Sequence, residues 1–405
     1  MRHVPVWTDR SPRLRRPAFP RLRGEHEASV VVVGGGLTGA ACALSLAAAG
    51  IPSILIEAER LGGGLTAGTA GILREGFAGS FREAVAAHGL RTSRTLWDGM
   101  RRGGLDFAAA LRRYGIKCDL EPLDLITFAG RGPDDARILR REYELRHASG
   151  IEGSWLTAAA VGRETGIESA GGIRTHGFSI DPLRACLGLA RAAVERGAEM
   201  FEGSPVKRIR TVQRRIEVSS ANGVVRADWV IVATGAPIQD LRALRRHLSP
   251  EHVYGVMTDP LVAAMRRGTG TQTAALEDGT AGHRYVRFLP DHRVLISSGR
   301  QPEVAARARD RALVQRTGQL MYELLLLYPD IAGLQPASSW DRLDHETADG
   351  LPFVGPHRNF PRHFFAFGSS RHGDGTAWLA ARMALRFIQG EPARSDEAFG
   401  FHRIL

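Results

Sequence analysis

Residues 28–57 leave this chain few choices. A short aliphatic run, Ala28 to Val33, leads straight into Gly34-Gly35-Gly36-Leu37-Thr38-Gly39. The small-residue segment Ala40 to Ala49 follows and is closed by Gly50, and a second apolar run, Pro52 to Ile56, ends at Glu57. A continuous apolar run of this length predicts a strand buried on both faces. The whole reads as strand, G-x-G-x-x-G, helix, strand and acid, which is the pattern of a dinucleotide-binding βαβ unit. Gly34 allows a tight turn off the strand, Gly36 lets backbone approach a pyrophosphate, and Gly39 lets helix and strand pack closely. The N–H groups of Leu37 and Thr38 open the helix, where unpaired donors and a partial positive charge favour phosphate. Glu57, followed by Ala58, is spaced to accept hydrogen bonds from ribose hydroxyls.

A second glycine turn lies far downstream. The predicted strand Phe364 to Phe367 runs into Gly368-Ser369-Ser370-Arg371-His372-Gly373-Asp374-Gly375, and a helix from Thr376 to Gln389 stops at Gly390. Between the two turns, Asp181-Pro182 reads as an N-cap followed by proline at the first helical position. Val206 to Val212, Arg215 to Ser219 and Val224 to Val232 read as strands, with an Asn222-Gly223 turn before the last. That last strand leaves through Ala233-Thr234-Gly235, where small residues let backbone lie against a ligand. Leu313 to Leu327 reads as a helix stopped by Pro329.

Size and charge exclude several classes. At 405 residues the chain exceeds a single core and fits roughly two domains. Lys and Arg number 54 against 43 acids, a net charge of +11, which raises the question of a polyanion partner. Nearly all of that charge is arginine, because the only lysines are Lys117 and Lys207. The arginines are interleaved with acids, as from Arg137 to Arg146, the pattern of a solvated helix face, so nucleic acid is not expected as a partner. Cys42, Cys118 and Cys186 are too few and scattered for a disulfide framework or a zinc site, and no metal is expected. No apolar stretch approaches the ~20 residues of a membrane span. Met1 to Arg23 is broken by prolines and reads as an extended lead-in without a signal peptide. Together these point to the cytoplasm.

Taken in order, the segments resemble the FAD-dependent D-amino-acid oxidase family, which includes glycine and sarcosine oxidases and gamma-glutamylputrescine oxidase. The resemblance is carried by "VPVWTDRSP", "VVVVGGGLTGAACALSLAAAG" with Glu57, and "GGGLTAGTAGIL" from Gly62 to Leu73. It continues through "FSIDPLRACLGLARAAVERGAEMFEGSPV", the "ATG" exit and "TADGLPFVG" with "FAFGSSRHGDGTAWLAARMALRFIQG". It implies an α/β fold, a Rossmann-like FAD-binding domain with a discontinuous antiparallel-sheet (α+β) substrate domain. The expected division is a lead-in at 1–27, an FAD-binding part at 28–85, 165–240 and 336–405, and a substrate part at 86–164 and 241–335. By the resemblance the dinucleotide is FAD, with Val206 backbone at the adenine. Thr66, Ala67, Thr69, Ala70, Gly71 and Ile72 would lie along the ribityl chain and ring. Ala233, Thr234 and Gly235 would close the site, and Arg371, His372, Gly373, Asp374, Gly375 and Thr376 would face the pyrimidine end. A helix N-terminus there would stabilise the negative charge of reduced flavin. No cysteine falls in a flavin-facing segment, so the FAD is expected to be non-covalent.

The resemblance also implies oxidation of the C–N bond of an amine or amino acid, by hydride transfer to flavin N5 and hydrolysis of the imine. Oxygen or another electron acceptor would reoxidise the flavin. The lysine that promotes oxygen reaction in the sarcosine-oxidase branch has no counterpart, since Lys207 adjoins the adenine side. The amino-acid oxidases of the family place a carboxylate-binding arginine where this chain has Asp344. Arg342, two residues before it and on the same face of a strand, is a candidate replacement, and Arg287 is another. Asp344 could itself favour a cationic amine. His372 could polarise substrate, and Tyr285 and His283 could touch it. Two alternatives stand beside this reading. A flavin-dependent 2-hydroxy-acid dehydrogenase would need a base such as His372 or His283, and a nucleic-acid-binding flavoprotein is suggested by charge alone.

Overall fold

The aliphatic run ends a ten-residue strand, Gly24–Val33, held between parallel neighbours at 223–235 and 53–56. Successive side chains of a strand point to opposite faces, and here both faces are covered. Val30 and Val32 pack under the helices, while Val31 and Val33 pack against Ile216 and Val218 of an antiparallel meander. That double burial is why the run carries no polar alternation. The structure is a computed structural model and describes residues 1–11, 16–279, 284–299, 301–368 and 370–404. His283 and Ser369 therefore lie outside the described residues.

The first sheet runs in the order 353–357, 360–367, 223–235, 24–33, 53–56 and 199–201, with 215–219 attached to 223–235 and 208–212 to 215–219. The helices Leu37–Ala48, Pro182–Val194 and Thr376–Gln389 cover one face. Asp181 caps the second of them as expected, accepting the Arg184 N–H at 3.0 Å. All the expected strands and helices named above are present, with boundaries shifted by a few residues.

A second, larger sheet follows the order 2–3, 336–347, 248–258, 294–297, 285–288, 274–278, 121–128, 172–179 and 72–74. It departs from the expected antiparallel sheet at two joins, where 2–3 pairs parallel with 336–347 and 274–278 pairs parallel with 121–128. The expected boundaries also do not follow sheet membership. Strands 72–74, 172–179 and 336–347, placed with the dinucleotide part, belong to the second sheet. Conversely, Phe81–Arg113 packs on the last helix of the first unit, with Phe107 stacked on Trp378 at 5.8 Å. The lead-in is not simply extended either. Val6 and Trp7 are buried in a short helix, and Trp7 Nε1 donates to the Thr69 carbonyl at 2.9 Å. The indole braces the loop that the sequence pattern assigned to the ligand.

One buried ion pair secures the start of the long helix. Glu142 accepts from the N–H groups of Phe81 (2.6 Å) and Arg82 (3.0 Å) and from Ser80 Oγ (2.9 Å). Arg146 Nε donates to it at 2.7 Å and stacks on Trp97. Arg146 is thus a buried structural residue, not part of the solvated face expected for 137–146. Burial alone would raise the Glu142 carboxyl, but Arg146 and the three donors outweigh it and hold it below its ordinary value. Its stabilisation is therefore complete above the unfolded-state pKa and is lost as pH falls through the folded one. Glu142→Ala should cost about 3–5 kcal/mol in denaturant unfolding, because it strands a buried guanidinium, and should flatten the acid limb of the stability profile.

Candidate functional site for a dinucleotide and its substrate

Two glycine turns meet at one cavity. About 360 Å³ in volume, it lies at the C-terminal ends of the parallel strands and is lined by Gly34 to Thr38 from one turn and by Gly373, Asp374 and Thr376 from the other. Such a crevice is where open α/β sheets bind ligands. Helix 37–48 begins at Gly36 with no side-chain cap and no acid in its first turn. Helix 376–389 likewise has no side-chain cap at Gly375 and no acid in its first turn. The first end keeps the Thr38 N–H for an acceptor in the cavity, its Leu37 N–H being taken by Thr66. At the second the N–H groups of Thr376, Ala377 and Trp378 turn back on the Gly373, Asp374 and Gly375 carbonyls, so it offers the cavity its dipole.

Glycine is required at three points of this cradle. Gly34 has φ +108°, and a Cβ there would lie 2.6 Å from the Ala233 carbonyl oxygen. A Cβ on Gly39 would fall on the Gly34 carbonyl, so Gly39 serves helix–strand packing and does not line the cavity. Gly373 has φ +85°, and its Cβ would press on the Ile72 oxygen at 2.8 Å. Glu57 and Ala58 line the cavity beside Val206 and the Ala233-Thr234-Gly235 exit. The Glu57 carboxylate accepts the N–H of Gly35 at 2.6 Å and of Glu59 at 2.8 Å. Its burial raises its pKa despite those two bonds. Thr66 also lines the wall and accepts the Leu37 N–H at 2.9 Å.

A smaller cavity, about 120 Å³, adjoins the first. Leu65, Thr69, Asp344, Gly373 and Asp374 line both. Its far wall comes from the second sheet, where Arg342 pairs with Val253 and Asp344 with Glu251 across the 336–347 and 248–258 strands. Arg342, Asp344 and Glu346 alternate along one strand and face the same space, as a period of two requires. Ala70, Ile72, Tyr285 and Arg371 complete the expected residues found here. Tyr285 is held by a buried network: Arg74 donates to its hydroxyl at 2.6 Å, and that hydroxyl donates to Glu277 at 2.9 Å. Arg371 is paired with Glu346.

Arg342 differs from these neighbours. Its Nε is buried without a partner, and among the described residues no hydrogen bond or ion pair reaches its guanidinium. Burial lowers its pKa to about 10, against the pull of Asp341 and Asp344. It lies flat against the loop from the first unit, since a Cβ on Gly68 would strike both Arg342 Nε and Trp340 Nε1.

Several expected residues sit elsewhere. Arg287 does not line the substrate cavity: its Nη1 donates to the carbonyls of Ala70 (2.7 Å), Gly71 (2.9 Å) and Ile180 (3.4 Å) from behind the loop. His372 is buried and lines neither cavity, and its Nδ1 accepts the Ala78 N–H at 3.2 Å. Ala67 and Gly375 are packing positions, the latter against Gly104 of the long helix. Gly71 is held from behind through its carbonyl. The sequence reading missed Arg74, Glu251 and Ser297 to Gly299. Glu251 follows from strand pairing alone once Asp344 is placed, whereas Arg74 had no signal besides its nearness to the "TAGIL" segment.

The family model described as FAD dependent oxidoreductase (DAO) matches residues 29–386. The chain belongs to that family. It is 28% identical over 383 residues to the gamma-glutamylputrescine oxidoreductase of Escherichia coli strain K12, covering 93% of this chain and 87% of the relative. It is 27% identical to a probable oxidoreductase, OrdL, of Haemophilus influenzae, over 93% and 86% of the two chains. Among solved structures, glycine oxidase from Geobacillus kaustophilus superimposes with a TM-score of 0.77 at 24% identity, covering 94% of this chain and all of that one.

The chain is thus an enzyme, an FAD-dependent oxidoreductase with FAD as its cofactor. The paired glycine turns and two helix starts without an acid in the first turn suit a long, anionic dinucleotide. The three cysteines are buried with thiols pushed up to about 12 by burial, and none lines either cavity. Denaturation of this family member should therefore release all its flavin into the supernatant, with no yellow retained on the precipitated chain. Gly34→Ala should weaken FAD binding by about tenfold or more through backbone strain, measured as flavin-to-protein ratio after dialysis.

Proposed function

We propose that this family member oxidises the C–N bond of an amino acid or a related amine carrying a carboxylate. The observation that carries the reading is Arg342, a half-buried arginine whose buried Nε has no partner among the described residues, in a cavity that opens onto the dinucleotide crevice. A buried donor left without an acceptor is costly, and a planar guanidinium is best met by a carboxylate in a two-point bond. Asp344 stands two residues along the same face, so the cavity carries both signs, as a zwitterion does. Relatives named glycine oxidase and gamma-glutamylputrescine oxidoreductase support the amine class.

In this reading Gly34 to Thr38, Glu57 and Val206 hold the adenosine diphosphate end. The 65–72 loop and the Gly373 to Thr376 turn hold the flavin end. FAD held there would supply a two-electron acceptor for the hydride of the substrate's α-carbon, leaving an imine for water to hydrolyse. The protein's part is to fix the carboxylate at Arg342, set the α-carbon where the cavities meet, and keep water out. Of the two bases named for the hydroxy-acid alternative, His372 lines neither cavity and accepts the Ala78 N–H, and His283 lies outside the described residues.

The test is anaerobic reduction of the enzyme-bound flavin by amino acids, by amines without a carboxylate, and by 2-hydroxy acids. The reading expects bleaching by amino acids first. Arg342→Leu should raise the KM for them by about 10- to 100-fold, the worth of one charge-assisted contact, while flavin content stays the same. An Arg342→Leu enzyme with an unaltered KM, or a flavin bleached by 2-hydroxy acids alone, refutes it.

A further inference from the structure

We infer that the Asp374 carboxylate accepts the proton of the substrate's ammonium group before oxidation, an inference that rests on the amine reading above. An amine of ordinary basicity is protonated at neutral pH, and its nitrogen then has no lone pair to form the imine. That proton has to leave before the imine can form, and a basic group where the two cavities meet would take it at neutral pH. The step moves one proton and no electrons: an N–H bond of the ammonium breaks and an O–H bond forms on the carboxylate.

Position selects Asp374. Of the five residues lining both cavities, Asp344 and Asp374 are the ionisable ones. Asp344 turns an oxygen back to the N–H of His345 at 2.8 Å. Asp374 is buried, and its place is set twice over. Its N–H donates to the Ile72 carbonyl at 2.9 Å, and its Oδ2 accepts from Thr69 Oγ1 at 3.1 Å. A carboxylate fixed by one hydroxyl keeps lone pairs for a second donor.

Charged groups surround it from every side. Arg74 comes from the 72–74 strand and Arg287 from the 285–288 strand, where Tyr285 also stands. Arg342, Asp344 and Glu346 come from the 336–347 strand, Glu251 lies across from them, and Arg371 and His372 share the Asp374 loop. Burial raises the Asp374 carboxyl to about 7, against the opposing pull of Thr69 and Arg287. It is therefore neutral below that pH and ionised above it. Raising its basicity narrows the gap to an amine and makes the transfer easier than to a solvent-exposed aspartate.

The experiment uses the holoenzyme and its Asp374→Asn variant, with glycine, sarcosine and L-proline as probes. Flavin reduction is followed anaerobically against pH. The wild-type rate should climb through about pH 7 as Asp374 ionises. Asp374→Asn should lose that limb and run about 100-fold slower at neutral pH. It should recover as pH passes the amine's own pKa, because the free amine then arrives without help. Infrared spectra should show a protonated-carboxyl band that vanishes through the same range in wild type and is missing from the variant. Thr69→Val, which removes a donor to the ionised carboxylate, should move the limb to higher pH and serves if Asp374→Asn loses its flavin. Bleaching of both enzymes with one and the same pH profile overturns this assignment alone, as does a Thr69→Val limb that stays in place. A wild-type flavin that no amine bleaches overturns the amine reading and this assignment with it.

Discussion

Backbone N–H groups at the start of a helix must find acceptors, and two helices of this protein start at the same crevice without side-chain caps. At the first, Thr66 takes the Leu37 N–H and leaves that of Thr38 for an anionic ligand. At the second the opening N–H groups bond within their own turn and the dipole alone faces the crevice. The rest of the first unit exists to hold those two helix ends in place. The parallel strands set the crevice at their C-terminal edge. Gly34 and Gly39 let strand, turn and helix close to distances that a Cβ would forbid.

The two sheets contribute different chemistry. The first offers mainly backbone and small residues, which suit a cofactor whose recognition is largely shape and phosphate charge. The second presents side chains in alternation along 336–347, a strand that brings Arg342, Asp344 and Glu346 to one wall. The 65–72 loop is the seam between them. It is braced from behind by Trp7 at Thr69 and by Arg287 at Ala70 and Gly71, so that the two adjoining cavities share a fixed wall.

Much of this was legible in the sequence, for identifiable reasons. The βαβ unit announces itself because double burial, the glycine spacing and the terminal acid are all local. The second turn is legible in the same way, from a strand, a glycine loop and a helix start. What local pattern does not carry is the partner of a side chain. Tyr285 and Arg287 lie on one strand face, two residues apart, yet the 70–71 segment runs between them, and only Tyr285 reaches the substrate cavity. Arg146 has the spacing of a solvated helix face and is buried because Glu142 and Trp97 meet it. Sheet membership departs from the expected division for a related reason: strands such as 172–179 choose their sheet through pairings far along the chain.

The most direct test of the central claim is the electron density of the holoenzyme crystallised with a slowly reacting amino acid. The account predicts pyrophosphate at the N–H groups of Gly36 to Thr38, the pyrimidine edge of the flavin at Gly373 to Thr376, and a carboxylate bridged by Arg342. A cofactor gripped by only one of the two glycine turns, or a carboxylate bound away from Arg342, would contradict it.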